Sequence, residues 1–183
     1  MRRLSLVPPS LRLSVIFCCA NYQDVEGALR CLRNQTVLPH EIVIVDRSPV
    51  SSPLAGDAGD RLKYVHDPSL HGLAQARNRG MAAATGNVVL FMNDCAVPDS
   101  RFIEEILAAY KNPYLDGVAG VVGAESGRPS AMSFRTASMR GLRFDEDQSK
   151  PEAAIDADFC LRLLQRGPAY VSSRIIAESI AES

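Results

Sequence analysis

Short apolar runs of strand length alternate along the chain with segments whose apolar residues recur at helical spacing, and this alternation constrains the fold most. A strand, helix, strand order favours a parallel sheet, because parallel strands need a crossover that covers a face of the sheet. The sequence therefore predicts an α/β fold, with a mostly parallel sheet flanked by helices in a single compact domain. The predicted strands are Leu11–Cys19, Glu41–Val45, Leu62–Val65, Val88–Met92, Gly117–Val122 and Ala169–Ser172.

Four helices are predicted between these strands from their start signals and apolar spacing. Asp24 is the expected cap of the first helix, and the alanine-rich segment Gly72–Ala84 forms the second. Pro98-Asp99-Ser100 opens the third, and Asp156 is the expected cap of the last. The polar stretch Glu125–Ala154 carries no pattern that assigns it to a helix or strand.

Length and charge limit the classes of function. The 183 residues suit one domain over residues 11–172, with a tail over residues 173–183. Twenty basic residues against 21 acidic ones give a net charge of −1, which removes the electrostatic basis for nucleic-acid binding. No apolar run reaches the ~18 residues of a membrane span. The tail contains Ile175, Ile176 and Ile180, which predict packing on a second copy and hence a homodimer.

The cysteines indicate a compartment. The chain has five cysteines, an odd number, and no two of them form a CxxC pair. This usage favours the reducing cytoplasm over a framework of disulfides. We therefore expect a cytoplasmic protein.

Polar side chains cluster where the predicted strands end. In open α/β sheets, ligands bind at the carboxyl ends of the strands, so polar residues at these positions are candidate site residues. Carboxylates gathered at one edge repel unless a cation or ligand donors intervene, so Asp46 and Asp94 predict a site for a metal or for ribose hydroxyls. Each residue alone also fits a turn former or a helix cap. The strand-end residues are Asn21, Asp24, Asp46, His66, Asp67, Asn93 and Asp94.

Several short motifs resemble those of a known family. They occur in the family's order over residues 11–172, and the set resembles the family 2 glycosyltransferases. The resemblance implies a GT-A (Rossmann-like) fold and transfer of a sugar from a nucleoside-diphosphate-sugar donor to an acceptor hydroxyl, with inversion at the anomeric carbon. The motifs are Leu13–Phe17 with Asn21, Gln35-Thr36, Glu41–Asp46, Ala76–Gly80, Ala84–Phe91, Phe144-Asp145-Glu146, and Asp156–Leu163 with Gly167.

The resemblance assigns Asp156 as the catalytic base, which takes a proton from the acceptor hydroxyl, although Ile155 stands where a glutamate is usual. A position at a helix start would favour the ionised carboxylate, and it equally suits a plain N-cap. Asp158 and Arg162 lie four residues apart and are expected to pair.

The resemblance also implies a nucleotide pocket. For Arg77, a surface position or a pairing with Asp46 or Asp67 is an equal alternative. The residues expected to bind the donor are Ala20, Asn21, Asp46, Arg77 and Asn93.

The metal motif departs from the family pattern. Family members carry acids at the first and third of three positions, which here are Asn93 and Cys95 around Asp94. Asp94 is the candidate ligand for Mg²⁺ or Mn²⁺, whereas a thiol suits neither ion. An alternative is therefore a degenerate glycosyltransferase that binds nucleotide or a partner protein without turnover. A nucleotidyltransferase is a third hypothesis, and it is disfavoured because the motif Asp156–Leu163 would have no role in such an enzyme.

Overall fold

The computed structural model describes residues 10–52, 61–93, 96–122 and 131–179. Four helices are α1 (Glu26–Arg33), α2 (Leu73–Ala83), α3 (Phe102–Ala109) and α4 (Glu152–Leu164), with a 3₁₀ turn at Tyr22–Val25 before α1. The strands are β1 (Leu13–Cys19), β2 (Glu41–Asp46), β3 (Leu62–His66), β4 (Val88–Met92), β5 (Ala96–Pro98), β6 (Gly117–Val122), β7 (Ala131–Arg135) and β8 (Ala169–Ser179).

The strands form one 8-stranded sheet in the order β3-β2-β1-β4-β7-β6-β8-β5. The pairs β3-β2, β2-β1, β1-β4 and β6-β8 are parallel, and β7 joins the two parallel groups by antiparallel pairing with β4 and β6. The predicted single α/β domain with a mostly parallel sheet is confirmed. Because β1 to β4 point the same way, their carboxyl ends meet at one edge, where Cys19 pairs with Asp46 and Asp46 with His66.

Both faces of the sheet are covered by apolar side chains. Along β1, Val15 and Phe17 belong to the core on one face, with Leu29 of α1 and Ile103 of α3. Ile16 faces the opposite core, which residues of α2 and α4 complete. Successive side chains of a strand point to opposite faces. A strand buried on both faces is therefore apolar throughout, which is the pattern seen in the sequence.

Helix α2 lies unusually close to the sheet at Gly80. A Cβ on this residue would be 2.5 Å from Cγ2 of Ile16 in β1. The glycine in the Ala76–Gly80 motif therefore permits the close packing of α2 on the central strand, although glycine is a poor helix former.

The predicted caps of two helices are wrong. At the first, Asn21 and not Asp24 caps the chain, since the Asn21 side chain accepts a hydrogen bond from Gln23 N and Asp24 lies inside the 3₁₀ turn. At the last, α4 begins at Glu152, so Asp156 is in its second turn.

The early start of α4 follows from Pro151. The amides of Ala154 and Ile155 donate to the Pro151 carbonyl at 2.9 and 3.2 Å. Pro151 is the residue before the helix, and the residue that precedes a proline is disfavoured in helical conformation, so α4 cannot extend further towards the N-terminus. The helix therefore has an N-terminus without Asp156.

Two strands differ from the sequence prediction. β7 lies in the stretch that carried no assignable pattern. β8 runs on to Ser179, past the predicted end at Ser172, and its Ile176 pairs with Val121. Ile175 and Ile176, expected on an exposed tail, therefore lie in a strand between β6 and β5, while Ile180 is outside the described residues.

No helix among the described residues is long and apolar enough to cross a membrane.

Candidate functional site

The edge formed by the ends of β1 and β2 carries two exposed residues and a partly buried cation. Ala20 and Asn21 follow β1 and are exposed. Arg47 follows β2, and its backbone N donates to the carbonyl of Cys19 at 3.0 Å. The Nε atom of Arg47 is buried and has no hydrogen-bond partner among the described residues. A cation with unused hydrogen-bonding capacity therefore lies at the edge where ligands bind in this class of sheet.

Asp46 is buried at the end of β2 and is fully hydrogen bonded. Its Oδ2 accepts from the Tyr64 hydroxyl at 2.5 Å and its Oδ1 from Ser48 N at 2.8 Å. Burial by itself raises the pKa of Asp46, but the hydrogen bonds from Tyr64 and Ser48 outweigh it and leave that pKa below its ordinary value. The carboxylate therefore stays ionised and fixes the chain after β2.

Tyr64 and His66 form an aromatic surface beside Asp46. The Tyr64 ring stacks on His66 with centroids 6.4 Å apart, and it meets Tyr22 edge-on at 6.3 Å. Burial, together with the hydrogen bond to Asp46, raises the pKa of Tyr64 to about 12. No motif in the sequence indicated Tyr64 as a site residue. The usable signal is the parallel register, because Tyr64 shares a strand face with His66, the residue that pairs with Asp46.

The structure brings Arg77 and Asp156 together, whereas the expected ion-pair partners of Arg77 were Asp46 and Asp67. Each lies in the second turn of its helix, Arg77 on α2 and Asp156 on α4. Nη1 of Arg77 forms an ion pair with Oδ1 of Asp156, and the two side chains are 7% and 25% exposed. The residue expected in the nucleotide pocket thus contacts the residue expected to be the base.

Aromatic rings surround the guanidinium of Arg77. Its Cζ lies 5.2 Å from the ring centroid of Phe144 and 6.0 Å from that of Phe91. Phe144 in turn stacks on Phe159 of α4, with centroids 3.9 Å apart and planes inclined by 9°. A cation over aromatic faces is attracted by the negative face of each ring. These contacts tie the position of the guanidinium to that of α4.

Asn78, the neighbour of Arg77, fastens the Phe144-Asp145-Glu146 turn to α2. Its Nδ2 donates to the Phe144 carbonyl at 3.0 Å, and its Oδ1 accepts from Phe144 N at 2.9 Å. Nδ2 also donates to Oε1 of Glu146 at 2.7 Å. Hydrogen bonds from Asn78 and Arg143 lower the pKa of Glu146. Two motifs that are distant in the sequence therefore form one structural unit.

The other predicted interactions on α4 are simpler. Arg162 pairs with Asp158 through Nη2 and Oδ2 at 2.6 Å, as the spacing predicts. Ile155, at the position where the family usually has a glutamate, is buried in the core.

The predicted metal motif spans residues 93–95, of which the structure describes only Asn93. Asn93 is exposed after β4, and its carbonyl accepts a hydrogen bond from Ala96 N at 3.2 Å. Asp94 and Cys95 lie outside the described residues. In the part of the chain that is described, no three His, Cys, Asp or Glu side chains are grouped closely enough to hold a metal ion. Asp94 as a ligand therefore stays a prediction.

The sequence profile described as Glycosyl transferase family 2 matches residues 14–170. The chain belongs to this family. The match includes the two helix segments that carry Arg77 and Asp156, so the observed ion pair lies within the family domain.

Solved structures of glycosyltransferases share the GT-A fold with this family 2 chain. Mannosyltransferase PcManGT from Pyrobaculum calidifontis, in complex with GDP-Man and Mn²⁺, aligns with a TM-score of 0.75 and 17% identity, covering 94% of this chain and 58% of that one. S. aureus TarS 1-349 in complex with UDP-GlcNAc aligns with a TM-score of 0.79 and 17% identity, covering 94% and 59%. The chain thus spans less than two thirds of these proteins. No curated protein matches it in sequence.

Proposed function

We propose that this chain is an inverting glycosyltransferase that moves a sugar from a nucleoside-diphosphate-sugar to an acceptor hydroxyl, with Asp156 as general base. The observation that carries the proposal is the Asp156 carboxylate, one quarter exposed and paired with the buried Arg77 in a family 2 domain. A carboxylate that is paired with a cation yet partly accessible is suited to accept a proton.

The transfer requires one base, and each bond that forms in it is matched by a bond that breaks. The acceptor oxygen attacks the anomeric carbon as its proton passes to Asp156. The bond from that carbon to the diphosphate oxygen breaks, and the nucleoside diphosphate leaves with the electron pair. Attack from the face opposite the leaving group inverts the configuration. A positioned base contributes roughly 10²–10⁴-fold to such a step.

The donor site is proposed at the carboxyl ends of β1, β2 and β4. Ala20, Asn21 and Asn93 are exposed there and are available to contact nucleotide or ribose. Asp46 contributes to the donor site indirectly, because its buried carboxylate accepts a hydrogen bond from Tyr64 and holds that ring in place. The complexes of PcManGT with GDP-Man and of TarS with UDP-GlcNAc support a nucleotide-sugar donor.

The departing diphosphate needs positive charge, and two sources are proposed. The Asp94 carboxylate offers the hard oxygen donors that Mg²⁺ and Mn²⁺ prefer, so this residue would hold a divalent ion. When bound, the ion would neutralise charge on the leaving group. Arg47, with its buried Nε lacking a hydrogen-bond partner among the described residues, is the protein's own cation at this edge.

We also propose a cytoplasmic location. Among the described cysteines no disulfide forms, and Cys31 and Cys160 are free thiols. This supports the compartment inferred from the odd number of cysteines.

Nucleotide binding is the first test. Isothermal calorimetry with UDP, GDP and TDP, each with and without Mn²⁺, should identify one nucleotide that binds more tightly with metal. Asp94→Ala should remove the metal effect. Failure of all three nucleotides to bind would refute a donor site.

Donor hydrolysis then tests the base. Wild-type protein should hydrolyse UDP-GlcNAc or GDP-Man slowly, and Asp156→Asn should reduce the rate by roughly 10²–10⁴-fold while nucleotide affinity is unchanged. Asp158→Asn is the matched control, since Asp158 lies on the same helix and pairs with Arg162 at the surface. Wild-type hydrolysis by Asp156→Asn would refute the assignment.

A second candidate is a degenerate glycosyltransferase that binds nucleotide without turnover. The burial of Ile155 favours it, because the usual acid at this position is replaced by a core residue. Nucleotide binding by a wild-type protein that hydrolyses neither donor would support this candidate.

A further inference from the structure

We propose that Arg77 is a positioning residue for Asp156, which holds the carboxylate ionised and directs one of its oxygens towards the acceptor hydroxyl. This inference rests on the proposed role of Asp156 as the base. It gives Arg77 a role beyond the nucleotide pocket to which the family resemblance assigned it.

The charge of Asp156 depends on Arg77. A base must be ionised to accept a proton, and burial disfavours the ionised form of a carboxylate. Three quarters of the Asp156 side chain is covered, since 25% is exposed. The helix dipole acts mainly within the first turn, and α4 begins at Glu152, four residues earlier. The guanidinium of Arg77 therefore supplies the positive charge that the helix end does not.

The geometry also fixes the direction of the carboxylate. Oδ1 of Asp156 is buried beside Nη1 of Arg77, which leaves Oδ2 as the oxygen for the acceptor proton. Arg77 is itself held, because its side chain is 7% exposed and packs over the rings of Phe91 and Phe144. A base whose partner is rigid keeps one orientation, which is what proton transfer in the transition state requires.

Cys160 and Glu152 are titratable groups one turn either side of Asp156 on α4. Cys160 lies one turn further along α4, where burial raises the pKa of its thiol and the charge of Arg77 opposes that rise only in part. The thiol is therefore neutral near pH 7. Glu152, one turn before Asp156, is exposed. Arg77 is thus the charge on α2 that faces the carboxylate, and its removal should change the titration of Asp156.

The decisive measurement is the titration of Asp156, followed by NMR with ¹³C-labelled aspartate carboxyls and assigned with Asp156→Asn. In Arg77→Gln the midpoint should rise by about one pH unit or more, the usual effect of removing an opposite charge. In Arg77→Lys, which keeps the charge, it should stay close to that of wild type. An unchanged midpoint in Arg77→Gln would overturn the inference.

Activity provides a second readout. The acid limb of the pH profile of donor hydrolysis should move with the NMR midpoint in Arg77→Gln and be restored in Arg77→Lys, with nucleotide affinity changed less than about threefold. If Arg77→Gln loses nucleotide affinity while the acid limb of its pH profile does not move, the positioning role is refuted and Arg77 is assigned to the nucleotide pocket instead. Asp156→Asn distinguishes the two proposals. If it hydrolyses donor normally, the proposed function fails, whereas a loss there with an unmoved acid limb in Arg77→Gln refutes the positioning role alone.

A wild-type measurement covers the case in which Arg77→Gln does not fold. The Nε–H resonance of Arg77 should shift over the same pH range in which Asp156 titrates, and this shift should be missing in Asp156→Asn. If the Arg77 resonance of wild type does not shift as Asp156 titrates, the inference is overturned.

Discussion

Replacing Asn78 with alanine removes the side chain that fastens the Phe144 turn to α2. Two of its hydrogen bonds are made to the N–H and the carbonyl of Phe144, and a third is made to the Glu146 carboxylate. Asn78 is 5% exposed and Phe144 2%, so water does not reach the two backbone groups unless the turn opens. The substitution therefore leaves a buried donor and a buried acceptor unpaired.

The magnitude follows from these partners. An unsatisfied buried polar group costs about 1–3 kcal/mol. Glu146 is exposed and regains water, so its bond adds little. The better helix propensity of alanine returns about 0.5 kcal/mol. For the two unpaired groups of Phe144, the expected loss in the free energy of unfolding is therefore about 1.5–5.5 kcal/mol, a large part of the ~5–15 kcal/mol of a typical domain.

Urea unfolding followed by circular dichroism measures this loss. Asn34→Ala is the control, because Asn34 is exposed and the one hydrogen bond of its side chain among the described residues goes to the nearby Arg30 carbonyl, at 3.1 Å. It should change stability by less than about 0.5 kcal/mol. Asn78→Ala should also slow donor hydrolysis, since the ring of Phe144 covers Arg77. A loss below about 1 kcal/mol, or one equal to that of Asn34→Ala, would show that the turn is held by other contacts.

Three further outcomes are expected. Tyr64→Phe should lower stability at pH 7 by about 1–3 kcal/mol. In wild type the lowered pKa of Asp46 contributes stability at pH values above its ordinary pKa of 3.8, and this contribution disappears as the pH falls through the pKa of the folded state. The stability difference between Tyr64→Phe and wild type should therefore shrink in acid. The pKa of Tyr64 is raised from 10.0 to about 12, so wild type should lose stability as the pH rises over that interval, whereas Tyr64→Phe should not. A difference in unfolding free energy between Tyr64→Phe and wild type that is the same at every pH would contradict both expectations. Gly80→Ala should destabilise by about 1 kcal/mol in urea unfolding, because the clash at 2.5 Å with Ile16 exceeds the gain in helix propensity, and a stabilised variant would exclude that clash. Arg47→Gln should weaken UDP or GDP binding by about tenfold in calorimetry with EDTA, and equal affinity would exclude Arg47 from the phosphate site.

Periodicity predicted the strands of the parallel half closely. β2 and β4 lie within a residue of their predicted limits, because a strand buried on both faces must be apolar along its whole length. β3 also lies within a residue of its predicted limits, although it is a partly exposed strand at the edge of the sheet. β7 escaped prediction because its Ser133 is buried and bonds to the Tyr110 hydroxyl at 3.1 Å, a partner that only the tertiary structure provides. Helix starts were also less predictable, since α4 begins after Pro151 with no side-chain cap and Asp156 lies in its second turn.

The sequence alone determined the α/β class, the family motifs and the polar residues at the strand ends, because each depends on residues close together in the chain. The tertiary structure decided which charges meet. Arg77 and Asp156 lie on helices that are distant in sequence, and their contact depends on how α2 and α4 pack on the same face of the sheet. The close approach at Gly80 and the stacking of Phe144 on Phe159 set that packing. No local pattern encodes such a pairing, since it arises from the fit of whole elements against one another.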